Sequence, residues 1–166
     1  MSVEKPPELW QGQALTASRY AQQEEEDPRE MVRLKKILVP TIINVKLYVE
    51  QGAKYGMPDY ALKKANISIQ HKWKAIARAY KAGVKIALGS DTSGTPPAIH
   101  GVDARSLEIY AKECGMKPMD AIVAATRNAA DALDMGRSIG TIEKGKLADL
   151  IVIKSDPIKD ISLLSK

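Results

Sequence analysis

Asp91 ends a short apolar run, VKIALGSD, and is followed by TSGTPP, a stretch of small and turn-forming residues. In α/β folds, functional groups gather at the C-terminal ends of parallel strands, where side chains leave the sheet and face the loops. A carboxylate in that place can bind a divalent metal, or take a proton from water bound to one. The same pattern suits an Asp that orders its loop by accepting bonds from nearby backbone amides. Local pattern does not choose between the two. His100 lies nine positions later in the same loop region. It could reach a substrate or the metal zone, or fix the loop by hydrogen bonding.

The remaining reactive side chains are less promising. His71 sits near the start of a predicted helix, and its spacing from His100 is not that of a metal pair. It reads as a surface or packing residue. Cys114 falls on an apolar helical stripe and reads as core rather than nucleophile. GSDTSG lacks the lysine of a phosphate-binding loop.

These residues need elements to position them. PREMVRLKK (28–36) predicts a helix, with Pro28 suited to its first turn. ILVPTII (37–43) is short, apolar and β-branched, as in a strand buried on both faces. Pro40 cannot donate a ladder bond and marks where that strand gives way to a loop. A polar stretch with Gly52, Gly56 and Pro58 follows. Trp73, Ile76, Ala77 and Tyr80 predict a helix over 68–82, ended by Gly83. Val84 to Asp91 predicts a second buried strand. Asp103 can cap a helix to Cys114, closed by Gly115, and Pro118 opens a longer helix to about Met135. Lys117 is a poor cap for it. Leu147 to Ile153 predicts a last apolar strand. Strands alternating with helices imply right-handed crossovers and a parallel sheet. Two such strands cannot cover both their faces, so more sheet is expected from elsewhere.

The chain has 166 residues, 45% hydrophobic and 27% charged, which fits one soluble domain. No apolar run approaches the ~20 residues that cross a bilayer, and the N-terminus lacks a secretory pattern. One cysteine forbids an internal disulfide. A cytoplasmic protein is the expectation. Net charge is +5, but the lysines are spread along predicted helices. With two Trp, six Tyr and no Phe, a base-stacking surface is not expected, and neither is a nucleic-acid partner.

Taken jointly, several segments resemble the amidohydrolase superfamily of metal-dependent hydrolases. GVKIALGSDTSGTPPAIHG resembles its last barrel strand and loop, and LVPTIIN its seventh strand. KPMDAIVAATRNAADALDM is similar to the helix that follows, and IGTIEKGKLADLIVIKSDPIKDIS to the return into a small β-sandwich. The His100-Gly101 and Pro40-Thr41 pairs most resemble the imidazolonepropionase and Xaa-Pro dipeptidase-like branch. The resemblance implies an α/β fold: the C-terminal part of a (β/α)₈ TIM barrel over 28–136, then part of the sandwich over 137–166. Residues 1–27 are expected to be a leader, disordered or helical. It also implies one or two divalent metals, usually zinc. Water activated by the metal would attack an amide, peptide or cyclic C–N bond of a small or dipeptide-like substrate. Asp91 would be the metal-adjacent general base, His100 a loop residue near the substrate, and Thr41 and Asn44 substrate-side residues at the mouth of the seventh strand.

Departures from the family pattern carry equal weight. The first-strand His-x-His pair, the strand-four lysine or acidic ligand and the histidines of strands five and six are not in this chain. The expectation is therefore a fragment or subunit, inactive alone, that forms homo-oligomers or joins a complementing barrel portion through the flanks of the strands at 37–43 and 84–88. The alternative is a non-catalytic half-barrel that serves association only.

Overall fold

The structure, a computed structural model, describes residues 14–16, 27–94 and 96–165. A three-stranded parallel sheet has the order β1 (Ala14–Thr16), β2 (Ile37–Val39), β3 (Lys85–Ile86). Ala14 pairs with Ile37, and Leu38 with Ile86. The parallel sheet agrees with the strand–helix alternation. The third strand, β1, lies inside the stretch expected to be a disordered or helical leader; the rest of residues 1–26 falls outside the described residues.

Helix α1 (Pro28–Arg33) leads into β2, with Pro28 in the first turn and the Asp27 side chain accepting from the Arg29 amide at 2.9 Å. The apolar run 37–43 is strand only as far as Val39. Past Pro40, Ile42 and Ile43 open helix α2 (Ile42–Gln51) and are fully buried within it. Proline ends the ladder, and the next two isoleucines stay in the core by changing from strand to helix. The stretch read as a polar connector is helical too. A 3₁₀ turn (Gly52–Tyr55) joins α2 to α3 (Asp59–Lys81), which begins nine residues before the predicted start. Gly56, at φ +77°, makes the left-handed turn between them.

Ile69, Ile76 and Ala79 form the buried stripe of α3, with Trp73 and Tyr80 packed beside it. The helix ends where Gly83 takes φ +85°. Its amide donates to the Tyr80 carbonyl at 3.0 Å and the Val84 amide to Ala79 at 3.0 Å, the paired bonds of a Schellman ending. The chain then enters β3 directly.

Helix α4 (Arg105–Lys112) starts after Asp103 without a side-chain cap, because the Asp103 carboxylate is turned to Ser90 and Thr92. The predicted helix 118–135 is two helices, α5 (Pro118–Ala125) and α6 (Arg127–Ala132). Between them Thr126 leaves helical angles, and its hydroxyl donates back to the Ile122 carbonyl at 2.8 Å. Lys117 caps α5 with no side-chain bond of its own. The Tyr80 hydroxyl instead accepts from the Lys117 amide at 3.3 Å and donates to Asp120 at 2.5 Å. A neighbouring helix therefore supplies the missing cap.

The core joins β2, β3 and the helix faces: Leu38, Ile42, Ile43, Leu47, Ile76, Ile86 and Tyr110 are at 2% exposure or less. Each such side chain contributes roughly 1.5–3 kcal/mol by burial. Ile37, Leu38, Val84 and Ile86 are covered within the chain, so these strand flanks leave little apolar surface for a partner. The segment 147–153 is not a strand. Leu150, Ile151 and Val152 are 61%, 79% and 98% exposed. A strand needs a neighbouring edge to bond to, and the described residues bring none to this segment. Among them no helix is long and apolar enough to cross a membrane.

Candidate active site

β3 has a ladder of only two residues, so side chains from other elements hold the path from it to Asp91. Asn128, from α6, donates to the Ile86 carbonyl at 2.8 Å. Tyr110, from α4, directs its hydroxyl at the Pro40 carbonyl (3.2 Å), with the Ala87 carbonyl at 3.5 Å, and so ties the ends of β2 and β3 together. Burial raises the Tyr110 phenol far above its ordinary range, so it stays a donor. The Asn44 side-chain amide donates to the carbonyl of Asp91 itself.

Asp91 has φ +55°, in the left-handed region that Asp tolerates better than bulkier residues. The residue is exposed, at the C-terminal side of the sheet. Lys72, on α3, is half-buried beside it. Burial lowers the Lys72 ammonium, and attraction to the Asp91 carboxylate raises it back in part.

The loop after Asp91 is organised around the Asp103 carboxylate. Hydrogen bonds from Ser90, then from Thr92 and the Gly101 and Asp103 amides, hold Asp103 below the usual carboxylate range against the opposing cost of burial. Thr92 donates to Asp103 at 3.3 Å and lies 3.2 Å from His100 Nδ1. A hydroxyl has one proton, and Thr92 directs it to the carboxylate. In that arrangement the bond to Thr92 is donated by the His100 ring, in the tautomer that carries its proton on Nδ1. Gly94 makes room for this ring: a Cβ there would stand 2.8 Å from Nε2.

Of the four residues singled out by sequence, the structure joins Asn44 to Asp91 directly and places His100 one hydroxyl away from the same turn. Thr41 is 8% exposed, between β2 and α2, with no side-chain capping bond. Ser90, Thr92, Asp103 and Tyr110 escaped the sequence reading. The polar residues on either side of Asp91 were a signal for the first two. A lone Asp ahead of a helix reads as a cap, and a Tyr on an apolar stripe as core.

Among the described residues, no three His, Cys, Asp or Glu side chains form a group that could hold a metal ion. A catalytic zinc takes three protein ligands. The donors here are one exposed carboxylate and one imidazole anchored through Nδ1, so by themselves they do not fit a metal. An open groove of about 470 Å³ between α6 and residues 139–151 includes none of the four candidates.

A family model described as the amidohydrolase family matches residues 19–166. Ochratoxinase of Aspergillus niger is 30% identical over 145 residues, 86% of this chain and 29% of that enzyme. Its crystal structure superposes with a TM-score of 0.73 over 93% of this chain and 33% of that one. Imidazolonepropionase of Thermoplasma volcanium is 36% identical over 80 residues, 48% of this chain and 19% of that enzyme. A Xaa-Pro dipeptidase with methionine bound in its active site superposes with a TM-score of 0.74 at 33% identity, over 92% of this chain and 36% of that one. The chain thus spans about a third of the ochratoxinase and dipeptidase chains. On the match over 19–166, it belongs to the amidohydrolase family.

Proposed function

We propose that this chain is the C-terminal portion of a metal-dependent amidohydrolase that cleaves an amide, peptide or cyclic C–N bond of a small or dipeptide-like substrate. The carrying observation is Asp91: an exposed carboxylate past the C-terminal end of a parallel strand, with its own carbonyl clasped by Asn44. In this reading an Asp91 carboxylate oxygen takes the proton from the attacking water and returns it to the leaving nitrogen. His100 faces the substrate with Nε2, and Thr41 and Asn44 stand at the mouth formed by the end of β2. The divalent ion of the family, with zinc the first choice, depends on ligands beyond the described residues. Support for the substrate class comes from the relatives: one is an imidazolonepropionase and another a Xaa-Pro dipeptidase.

The clasp of the Asp91 carbonyl by Asn44 also suits a second reading, a non-catalytic half-barrel in which Asp91 only orders its loop. One experiment separates the two: Asp91→Asn in the full-length protein, assayed against acyl-proline dipeptides and cyclic amides. The catalytic role predicts a loss of roughly 10²–10⁴ in kcat with KM largely kept. Asn also suits turns, so near-normal turnover in the variant would remove Asp91 from the chemistry. The 166 residues alone are expected to show no appreciable hydrolysis.

A further inference from the structure

We infer that Asn44 is a positioning residue, which aims Asp91 by clasping its backbone rather than by touching substrate. The inference rests on the reading of Asp91 as the reacting carboxylate, and deepens it.

Three observations carry it. The Asn44 Nδ2 donates to the Asp91 carbonyl, across 47 positions of sequence. The other polar atom of the same side chain, Oδ1, is buried and has no partner. An amide with one of its two N–H donors committed to Asp91 and its acceptor walled in is already engaged in holding backbone. A buried acceptor without a partner is also unfavourable, and such a group persists where the surrounding structure holds it in place. Second, Asp91 is a non-glycine residue at φ +55°. Left-handed backbone at an L-residue is held by its surroundings rather than by its own preference. Its orientation sets where the carboxylate points, so whatever grips the Asp91 carbonyl also aims the side chain. Third, the grip comes from a rigid place. Asn44 lies in the first turn of α2, between Ile43 at 0% and Leu47 at 1% exposure. The helix that follows β2 thereby sets the angle of a residue five positions past the end of β3.

A residue that acts by aim affects the reaction step more than ground-state binding, because small errors of placement cost rate. In the full-length protein, Asn44→Ala and Asn44→Asp are compared with Ile76→Val, a core truncation that lowers stability without approaching Asp91 in sequence. The assays are kcat and KM on the acyl-proline and cyclic-amide panel, the melting temperature, and hydrogen exchange at the amides of 91–93. The expected result is a kcat about tenfold lower or more, with KM within about twofold. Exchange at 91–93 should be faster than in Ile76→Val at matched stability. Where Asn44→Ala fails to fold, Asn44→Ser is read in the same way.

A raised KM with kcat kept would overturn the inference in favour of direct substrate contact. Unchanged kcat and unchanged exchange would overturn it outright, as would losses equal to those of Ile76→Val. Asp91→Asn, run in parallel, separates the two levels. If it turns over normally, the reading of Asp91 fails and the role of Asn44 fails with it. If it is inactive while the Asn44 variants stay active, only the role of Asn44 fails.

Discussion

Gly89 lies against the side chain of Val39 so closely that a Cβ at position 89 would run into Val39 Cγ1. This contact joins the end of β2 to the turn that carries Asp91. The glycine is needed for space, since it is not among the positive-φ glycines. Val39 is β-branched and has few rotamers in which to retreat. We expect Gly89→Ala to lower stability by about 1–3 kcal/mol, as overpacking does, and Gly89→Ala with Val39→Ala to recover part of it. Denaturant melts of the four members of the cycle measure the coupling. An additive cycle would show that the two residues are not in conflict.

Tyr110 joins the same two strand ends through its hydroxyl, at the Pro40 and Ala87 carbonyls. It is fully buried, so Tyr110→Phe leaves the volume nearly intact and removes the donor. Acceptors left without a partner in the interior cost about 1–3 kcal/mol, and that is the expected loss in a melt of Tyr110→Phe. A water that replaced the hydroxyl would reduce the loss to near zero, which a melt would also show.

Much of this was legible from sequence where a residue acts on its own neighbours. Asp91 after an apolar run, Pro40 at the end of β2 and Gly83 at the end of α3 each announce themselves locally. What was hidden depends on distant partners. Lys117 is a poor cap by type, and only the packing of α3 against α5 shows that the Tyr80 hydroxyl completes it. Asp103 has the place of a helix cap, yet the loop from Ser90 competes for its carboxylate and wins with several donors. The helices over 42–51 and 59–67 escaped because Gly52 and Gly56 read as a loop, although they break the helical run only briefly. The apolar residues 147–153 promised a strand by composition alone. Composition cannot supply the neighbouring edge that a strand requires.

Cys114 is 2% exposed on the buried side of the turn after α4. Burial pushes its thiol up to about 12, with the nearby Glu113 carboxylate adding to the shift. The thiolate is the reactive form, so at neutral pH the group is both protonated and inaccessible. Alkylating reagents should leave the folded protein unmodified for hours and label Cys114 stoichiometrically in denaturant. Rapid labelling under native conditions, at a rate faster than global unfolding, would contradict the burial of Cys114.

The last prediction concerns acid. Asp103 is held below the ordinary carboxylate range by Ser90 first, then by Thr92 and two backbone amides, against the cost of burial. Its folded pKa is therefore below its unfolded pKa, and the folded state binds its proton less readily. The contribution of Asp103 is fully present above the unfolded pKa, near 4, and fades as pH falls through the folded value. Asp103→Asn removes the titrating charge and keeps the shape. The melting temperature of the wild type should exceed that of the variant at pH 5–7, and the gap should close below about pH 4. Glu108 is also held low, first by Ser165, but it titrates in both proteins and cancels in the difference. A gap that stays constant from pH 7 to pH 3 would mean that Asp103 holds the loop by shape alone.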